Sequence, residues 1–170
     1  ALLGANPFDT TMMTPSQPQP DGLACSDDYL AWDNSNDSWM YWVATGTGTA
    51  SFSACDAASY DTSMVLYEGS CDNQVACSGD TSGEDGCQSY YSAVYDYPVT
   101  AGETYYVRMG GWQAASGAGT VTITFTGGDV IGACCAADGS CADMTSGDCA
   151  NSGGTWDSAS MCADDPCPQP

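Results

Sequence analysis

Eleven cysteines fall into two groups along this chain, and that division constrains the fold more than any other feature. The last 37 residues hold six of them, an even number that can close on itself. The rest of the chain holds five, which cannot all pair with one another. The five are Cys25, Cys55, Cys71, Cys77 and Cys87, and the six are Cys134, Cys135, Cys141, Cys149, Cys162 and Cys167. The distribution predicts a larger unit with few covalent links and a small unit that depends on them.

Cysteine chemistry also bears on the compartment. The six terminal cysteines include no C-x2-C pair and the chain has no His, so disulfides are favoured over structural zinc. Disulfides at this density are typical of an oxidising compartment. The chain begins at Ala1 without a basic and apolar leader, which fits a mature form after signal removal. We expect a protein that is secreted, extracellular or held at the cell surface.

The charge is strongly one-sided. Twenty-two acids face a single base, Arg108, for a formal net charge of -21. Such a chain repels nucleic acid and anionic membranes, whereas it attracts divalent cations and cationic partners. No apolar stretch approaches the ~18 residues of a membrane span. The absence of His and Lys excludes Ser-His-Asp and Cys-His catalysis and a phosphate-binding lysine, so we expect no enzyme.

Composition divides the chain into four segments. Residues 1–20 form an arm with four prolines, which exclude a helix and favour extended geometry. Because Leu2, Leu3, Phe8, Met12 and Met13 are more apolar than a solvated linker needs, we expect the arm to be held by its own domain or by a neighbouring subunit. The remaining segments are a β-sandwich domain at 21–126, a linker at 127–131 and a stapled module at 132–170.

Short apolar runs and period-two alternation predict strands throughout the second segment. Alternation is clear in Thr49–Cys55, Thr104–Met109 and Thr120–Phe125, and runs rich in aromatic or aliphatic residues lie at Trp39–Val43, Ser63–Tyr67 and Tyr90–Val99. Turn residues separate these runs, and no amphipathic helix of useful length interrupts them. The predicted fold class is all-β, an antiparallel jelly-roll-like sandwich plus a small disulfide-rich loop module.

The segment from Asp37 to Phe125, a little over half of the chain, resembles the bacterial pre-peptidase C-terminal (PPC) type of β-sandwich domain. The similarity lies in the order of short motifs, each weak alone: DSWMY at 37–41, GTASF at 48–52, YDTSMVLY at 60–67, Cys71, Ala76-Cys77 and Asp80, TAGETYYVR at 100–108, and Gly110-Gly111-Trp112. Pro98 departs from the family pattern and predicts an edge strand or a bulge. The resemblance implies a non-catalytic accessory module that often binds calcium.

The tail is similar to small Cys-rich repeats in secreted proteins of environmental bacteria. That similarity rests on the spacing of the six cysteines around Gly153-Gly154 and Trp156. It implies a compact, stapled knob with no chemistry of its own.

Spacing predicts two disulfides in the larger unit. Cys71 and Cys77 flank five residues and would close a loop, and Cys55 with Cys87 would tie a strand end to the acidic loop 78–86. Cys25 then remains, as a free thiol, as a bond to another chain, or within a crossed pairing. The six tail cysteines allow 15 connectivities, and the adjacent Cys134 and Cys135 are expected to bond elsewhere because a direct bond would be strained.

Two acidic loops are candidate calcium sites. Asp33 and Asp37 alternate with Asn and Ser as in the first half of a calcium loop, but the glycine and glutamate of an EF-hand are missing. Asp80 and Asp85 lie in a second oxygen-rich loop. Hard oxygen ligands without His suit calcium rather than zinc or copper. The alternative is that these are acidic turns.

Two further residues are singled out. Trp112 follows two glycines and could stack on a sugar ring, or it could cap the sandwich as a structural aromatic. Arg108 faces away from Tyr105 and Val107 in the alternation, and we expect it to pair with nearby carboxylates.

These features favour one function over another. The first is a non-catalytic secreted structural subunit that self-assembles into an extracellular filament, sheath or surface layer, with its arm on a neighbouring subunit. The alternative is a calcium-dependent carbohydrate or cell-surface binding module that acts in adhesion. An enzyme is the weakest of the three hypotheses.

Overall fold

Extended strands are the main regular structure of the chain, as its short apolar and alternating segments predict. The computed structural model describes residues 1–24, 30–55, 57–81, 87, 89–164 and 166–168, with only the backbone of Asp129. In the larger unit the strands are β1 (Gly4–Asp9), β2 (Ser38–Val43), β3 (Gly46–Ser53), β4 (Thr62–Glu68), β5 (Gln74–Ser78), β6 (Ala93–Val99), β7 (Thr104–Gly111) and β8 (Ala118–Asp129). They form two four-stranded sheets, ordered β1-β8-β3-β6 and β2-β7-β4-β5. All pairings are antiparallel, which confirms the predicted sandwich.

One apolar core lies between the two sheets. Phe52 and Ile123 face it from the first sheet, and Leu66, Tyr105 and Val107 face it from the second. All five side chains are almost completely buried, as the alternation predicted for three of the strands that carry them. Burial of this core is therefore a main source of stability in the larger unit.

Strand β8 is the longest strand and continues past the core. Its last residues pair with the start of β3, where the two backbones approach closely at Gly48 and Gly127. A Cβ on Gly48 would lie 2.2 Å from the carbonyl oxygen of Thr126, so a side chain cannot be accommodated there. Consequently β8 carries the chain through residues 127–129 of the predicted linker, and the next strand begins at Ile131.

The tail is a small three-stranded sheet closed by disulfides. Strand β9 (Ile131–Cys135) lies between β10 (Cys141–Thr145) and β11 (Thr155–Asp157), and helix α1 (Ser146–Ser152) joins the outer two. The bonds are Cys134–Cys149, Cys135–Cys167 and Cys141–Cys162. The prediction that the six cysteines close on themselves, with Cys134 and Cys135 bonded elsewhere, is confirmed.

The larger unit confirms one predicted disulfide and contradicts the other. Cys55 bonds Cys87 as expected. Cys71, however, is free and exposed, whereas Cys77 is disulfide-bonded, so the predicted bond between them is wrong. The reason is that Cys77 lies on an extended strand, which moves the chain ~3.4 Å per residue away from the turn that holds Cys71. Cys25 lies outside the described residues.

Pro98 lies at a position where a β-sheet tolerates a proline. It belongs to β6, the outer strand of its sheet, and β6 carries a bulge opposite Ala50 and Phe52 with a positive φ of 50° at Asp96. Both alternatives predicted for this strand, an edge and a bulge, are confirmed.

No helix within the described ranges is long and apolar enough to cross a membrane.

Candidate functional site at the amino-terminal arm

The arm packs on its own domain in this structure. Strand β1 pairs with β8 along its whole length, from Gly4 opposite Ile123 to Asp9 opposite Ala118. Thr10 continues the pairing, since its backbone N–H donates to the carbonyl of Gly117 at 2.9 Å. Of the two expected holders of the arm, its own domain is the one observed.

Phe8 anchors this strand in the core. Its ring is buried and packs edge-on against Tyr60, with 6.4 Å between ring centroids. A Cβ on Gly119 would come within 2.7 Å of the Phe8 ring, so the glycine leaves the space that the ring occupies. Burial raises the pKa of Tyr60 to about 12, and its neutral hydroxyl donates to the carbonyl of Gly110 at 3.0 Å. The slot is therefore shaped for one aromatic side chain from an incoming strand.

A second attachment holds the arm further along, at Arg108 on β7. The guanidinium is buried and forms an ion pair with Asp37, with Nη2 2.7 Å and Nε 3.0 Å from Oδ2. Its remaining donors reach the arm, since Nη2 donates to the carbonyl of Ser16 at 2.7 Å and Nη1 to that of Pro18 at 2.9 Å. We call this arrangement of Arg108, Asp37, Ser16 and Pro18 the Arg108 clasp.

Aromatic rings and a second carboxylate oxygen complete the clasp. The guanidinium carbon lies 4.9 Å from the ring centre of Trp32 and 5.0 Å from that of Trp39, so it makes cation–π contacts with both rings. Asp37 also accepts from Ser16, at 2.9 Å from the backbone nitrogen and 2.6 Å from Oγ. Both members of the buried ion pair therefore bind Ser16, and Arg108 also binds Pro18, which holds this part of the arm on the domain.

The hinge between these two attachments is exposed. Residues 11–14 are all exposed, and the side chain of Met12 keeps 91% of its surface accessible. The backbone N–H of Thr11 donates to the carboxylate of Asp9, and that of Met13 donates to the carbonyl of Thr10, so both bonds are local. The arm thus consists of an inserted strand, an exposed hinge and a clasped segment.

Sequence reasoning found part of this site. The pairing of Arg108 with a carboxylate is confirmed, but its burial and its contacts with the arm were not predicted. The signal in the sequence is that Arg108 is the sole basic side chain and lies on a predicted strand. That Trp39 lies directly opposite it is seen only in the structure.

The predicted calcium ligands are not brought together among the described residues. The Asp37 carboxylate is occupied by Arg108 and Ser16, so its assignment to calcium is corrected to an ion pair. Asp33 is exposed, with a positive φ of 45°. Asp85 lies outside the described residues. Among the described residues, one group of three potential metal-ligating side chains lies close together. It consists of Cys135, Cys141 and Cys167, whose sulfurs are already in disulfides.

Asp80 has a different neighbour. Burial, together with the nearby charge of Asp80, raises the pKa of Asp61 to about 6. The charge of Asp80 thus affects Asp61, a carboxylate that the sequence did not single out. Trp112 is half-buried in a short 3-10 turn, with its backbone nitrogen donating to the carbonyl of Asp61 at 3.1 Å.

A cavity of about 490 Å³ lies where the tail meets the sandwich. Val43 and Thr45 line it from the larger unit, and Trp156 and Ser158 from the tail. The indole nitrogen of Trp156 donates to the carbonyl of Met144 at 2.9 Å, so the polar atom of this side chain already has a partner. No titratable side chain is among the described residues that line this cavity, so they offer no acid–base chemistry.

Comparisons with protein-family models, with curated proteins and with solved structures found no match for this chain.

Proposed function

We propose that this protein is a non-catalytic, secreted structural subunit that assembles with copies of itself into an extracellular filament, sheath or surface layer, with its amino-terminal arm at the contact. The observation that carries the proposal is the distribution of exposed apolar side chains along the chain. Half of the large apolar side chains that are exposed in the described part of the chain fall within residues 1–23. They are Leu2, Leu3, Met12, Met13 and Leu23.

Charge supports the same location. Asp9 is the single acid in residues 1–20, whereas the whole chain carries 22 acids. Two copies with a net charge of -21 repel one another over most of their surface, and the arm is where they can approach with the least repulsion. The Ala1 nitrogen donates to the Tyr41 carbonyl, which places the start of the arm beside the outer strand β2. Tyr41 and Val43 are exposed on that strand and extend the apolar surface of the arm.

Exposed side chains allow a test that leaves the fold intact. The triple variant Leu2→Ser, Leu3→Ser, Met12→Ser should fold normally and lose assembly, as followed by negative-stain electron microscopy and sedimentation at 0.15 M salt or higher. The matched control is Met161→Ser, which removes an exposed apolar side chain from the tail and should assemble like the wild type. A wild-type protein that stays monomeric with and without calcium, or a triple variant that assembles normally, contradicts the proposal.

A second candidate is a calcium-dependent adhesion module that binds carbohydrate or a cell surface. The observation in its favour is that the charge of Asp80 contributes to the raised pKa of Asp61, so the surface near Asp61 carries more than one carboxylate, and carboxylate oxygens suit calcium. Calorimetric titration of calcium into the wild type and into Asp80→Asn tests the ion. A glycan array with Trp112→Ala as the control tests the sugar. Absence of heat on calcium addition, or sugar binding that ignores Trp112, rejects the corresponding part.

A further inference from the structure

We infer that β1 is an exchangeable strand: on assembly, residues 1–10 leave the groove of their own domain and occupy the same groove, beside β8, on the next copy. This inference rests on the proposed function and specifies its contact. The partner is a second copy of this chain, and it completes the acceptor site by contributing Phe8.

The acceptor groove is defined by what fills it here. It offers the free edge of β8 from Ala118 to Ile123 and the slot at Gly119 that admits the Phe8 ring. A strand from another copy would make the same hydrogen bonds and fill the same slot, because the sequences are identical. Exchange therefore conserves every native contact except those of the hinge, which is the condition under which identical elements swap between protomers.

The hinge gives direction to the exchange. Residues 11–14 lie exposed between an inserted strand and the clasp, where Met12 keeps 91% and Met13 48% of the side-chain surface accessible in the closed form. Opening of the hinge costs few contacts, and a neighbouring copy can cover both methionines. The apolar hinge therefore favours an arm shared between copies over one folded back on itself.

The Arg108 clasp limits how far the strand can travel. Ser16 and Pro18 stay bound to their own domain, so only the segment from Thr10 to Ser16 spans the gap. Six residue steps reach about 20 Å at ~3.3 Å each. The next copy must lie in direct contact, and each copy both gives a strand and receives one. Such a head-to-tail contact propagates as an open filament unless the rotation closes it.

Strand geometry supplies a crosslink that reports which copy donates β1. Thr10 bonds Gly117, so by alternation Ala5 and Thr122 form a directly opposed pair without mutual backbone bonds, with Cα atoms ~4.5 Å apart. That distance suits a disulfide. The variant Ala5→Cys, Thr122→Cys is made with Cys71→Ser, which removes the free thiol of the described residues. The control is Thr49→Cys, Thr126→Cys across β3 and β8 of one domain, a hydrogen-bonded pair whose Cα atoms, ~5.5 Å apart, are also within reach of a disulfide.

The test oxidises both variants after assembly and separates them on a denaturing gel without reductant. We expect a ladder of covalent oligomers from the β1–β8 pair and only monomer from the β3–β8 pair. Oxidation before assembly should lock the β1–β8 variant as a monomer that no longer assembles. Assembled protein whose β1–β8 bond stays within each chain overturns the exchange but leaves the proposed function standing. Bands that end at a dimer support the exchange and overturn the open filament, and failure of the wild type to assemble overturns the proposed function itself.

Discussion

The two ends of the molecule are attached to the sandwich in opposite ways. The arm at residues 1–20 has no cysteine and is held by strand pairing, one aromatic ring and the Arg108 clasp. The tail is closed by three disulfides, which a thiol-free environment does not open. The difference shows that one end can be released and rebound while the other is permanent. An element that must reach another copy belongs at the releasable end.

The largest effect is expected from breaking the clasp. Arg108→Met leaves the Asp37 carboxylate buried without its partner, which should lower the free energy of unfolding by about 3–5 kcal/mol in urea titrations. Arg108→Lys keeps the charge but loses the planar guanidinium that contacts Trp32 and Trp39, so its loss of unfolding free energy should be intermediate. A cost below about 0.5 kcal/mol for Arg108→Met would be the size of an ordinary surface change and would refute the role assigned to the clasp.

The next effect comes from emptying the slot for the arm. Phe8→Ala removes a buried ring and should cost about 3 kcal/mol, at the low end for a phenylalanine because the strand is at the edge of its sheet. Thermal unfolding followed by circular dichroism measures it. Leu2→Ser, on the same arm but exposed, should change stability by no more than ~0.5 kcal/mol. Equal losses from the two variants would show that the Phe8 slot does not anchor the strand.

The tail should respond to covalent changes instead. Cys141→Ser with Cys162→Ser removes a bond that spans 21 residues and should destabilise the tail by about 2–4 kcal/mol, as reported by amide exchange in β9 to β11. Cys71→Ser is the control and should have no effect, since Cys71 is free. Peptide mapping that finds Cys71 alkylated in the native protein checks the same assignment, and a Cys71–Cys77 peptide would contradict it.

The smallest effect concerns Asp61. Its pKa is raised to about 6, chiefly by burial, so the folded state holds the proton more tightly than the unfolded chain does. This carboxyl therefore lowers stability as pH rises from about 4 to 6. Asp61→Asn should raise the melting temperature at pH 7 and leave it unchanged near pH 3.5. If calcium binds beside Asp80, adding it at pH 7 should raise the melting temperature of the wild type above that of Asp61→Asn.

Sequence patterns predicted the strands whose apolar side chains alternate and missed the strands β1 and β5, which lack a clear alternation. The strands of Phe52, Val107 and Ile123 were visible because apolar residues repeat every second position. Strand β1 was not, since Phe8 is its single large buried side chain and Asn6 and Pro7 obscure the alternation. Strand β5 was taken for a disulfide loop, because spacing alone cannot show that Gln74–Ser78 is extended.

The candidate site was predictable only in part for a related reason. Alternation placed Arg108 on the outer face of its strand, and its charge implied a carboxylate partner. That Ser16 and Pro18 cover it depends on the path of the arm, which local patterns do not encode. Asp37 illustrates the same limit, since its position in an oxygen-rich loop suggested calcium while the fold pairs it with the guanidinium.

The central claim is that the arm opens independently of the sandwich. Native-state hydrogen exchange measures this directly, because sub-global opening and global unfolding differ in free energy. Amides of residues 4–10 should exchange through an opening of clearly lower free energy than amides of β3 and β7, with the tail protected until its disulfides are reduced. Exchange of residues 4–10 at the same free energy as the core would show that the arm is released only when the whole domain unfolds, and would contradict the account.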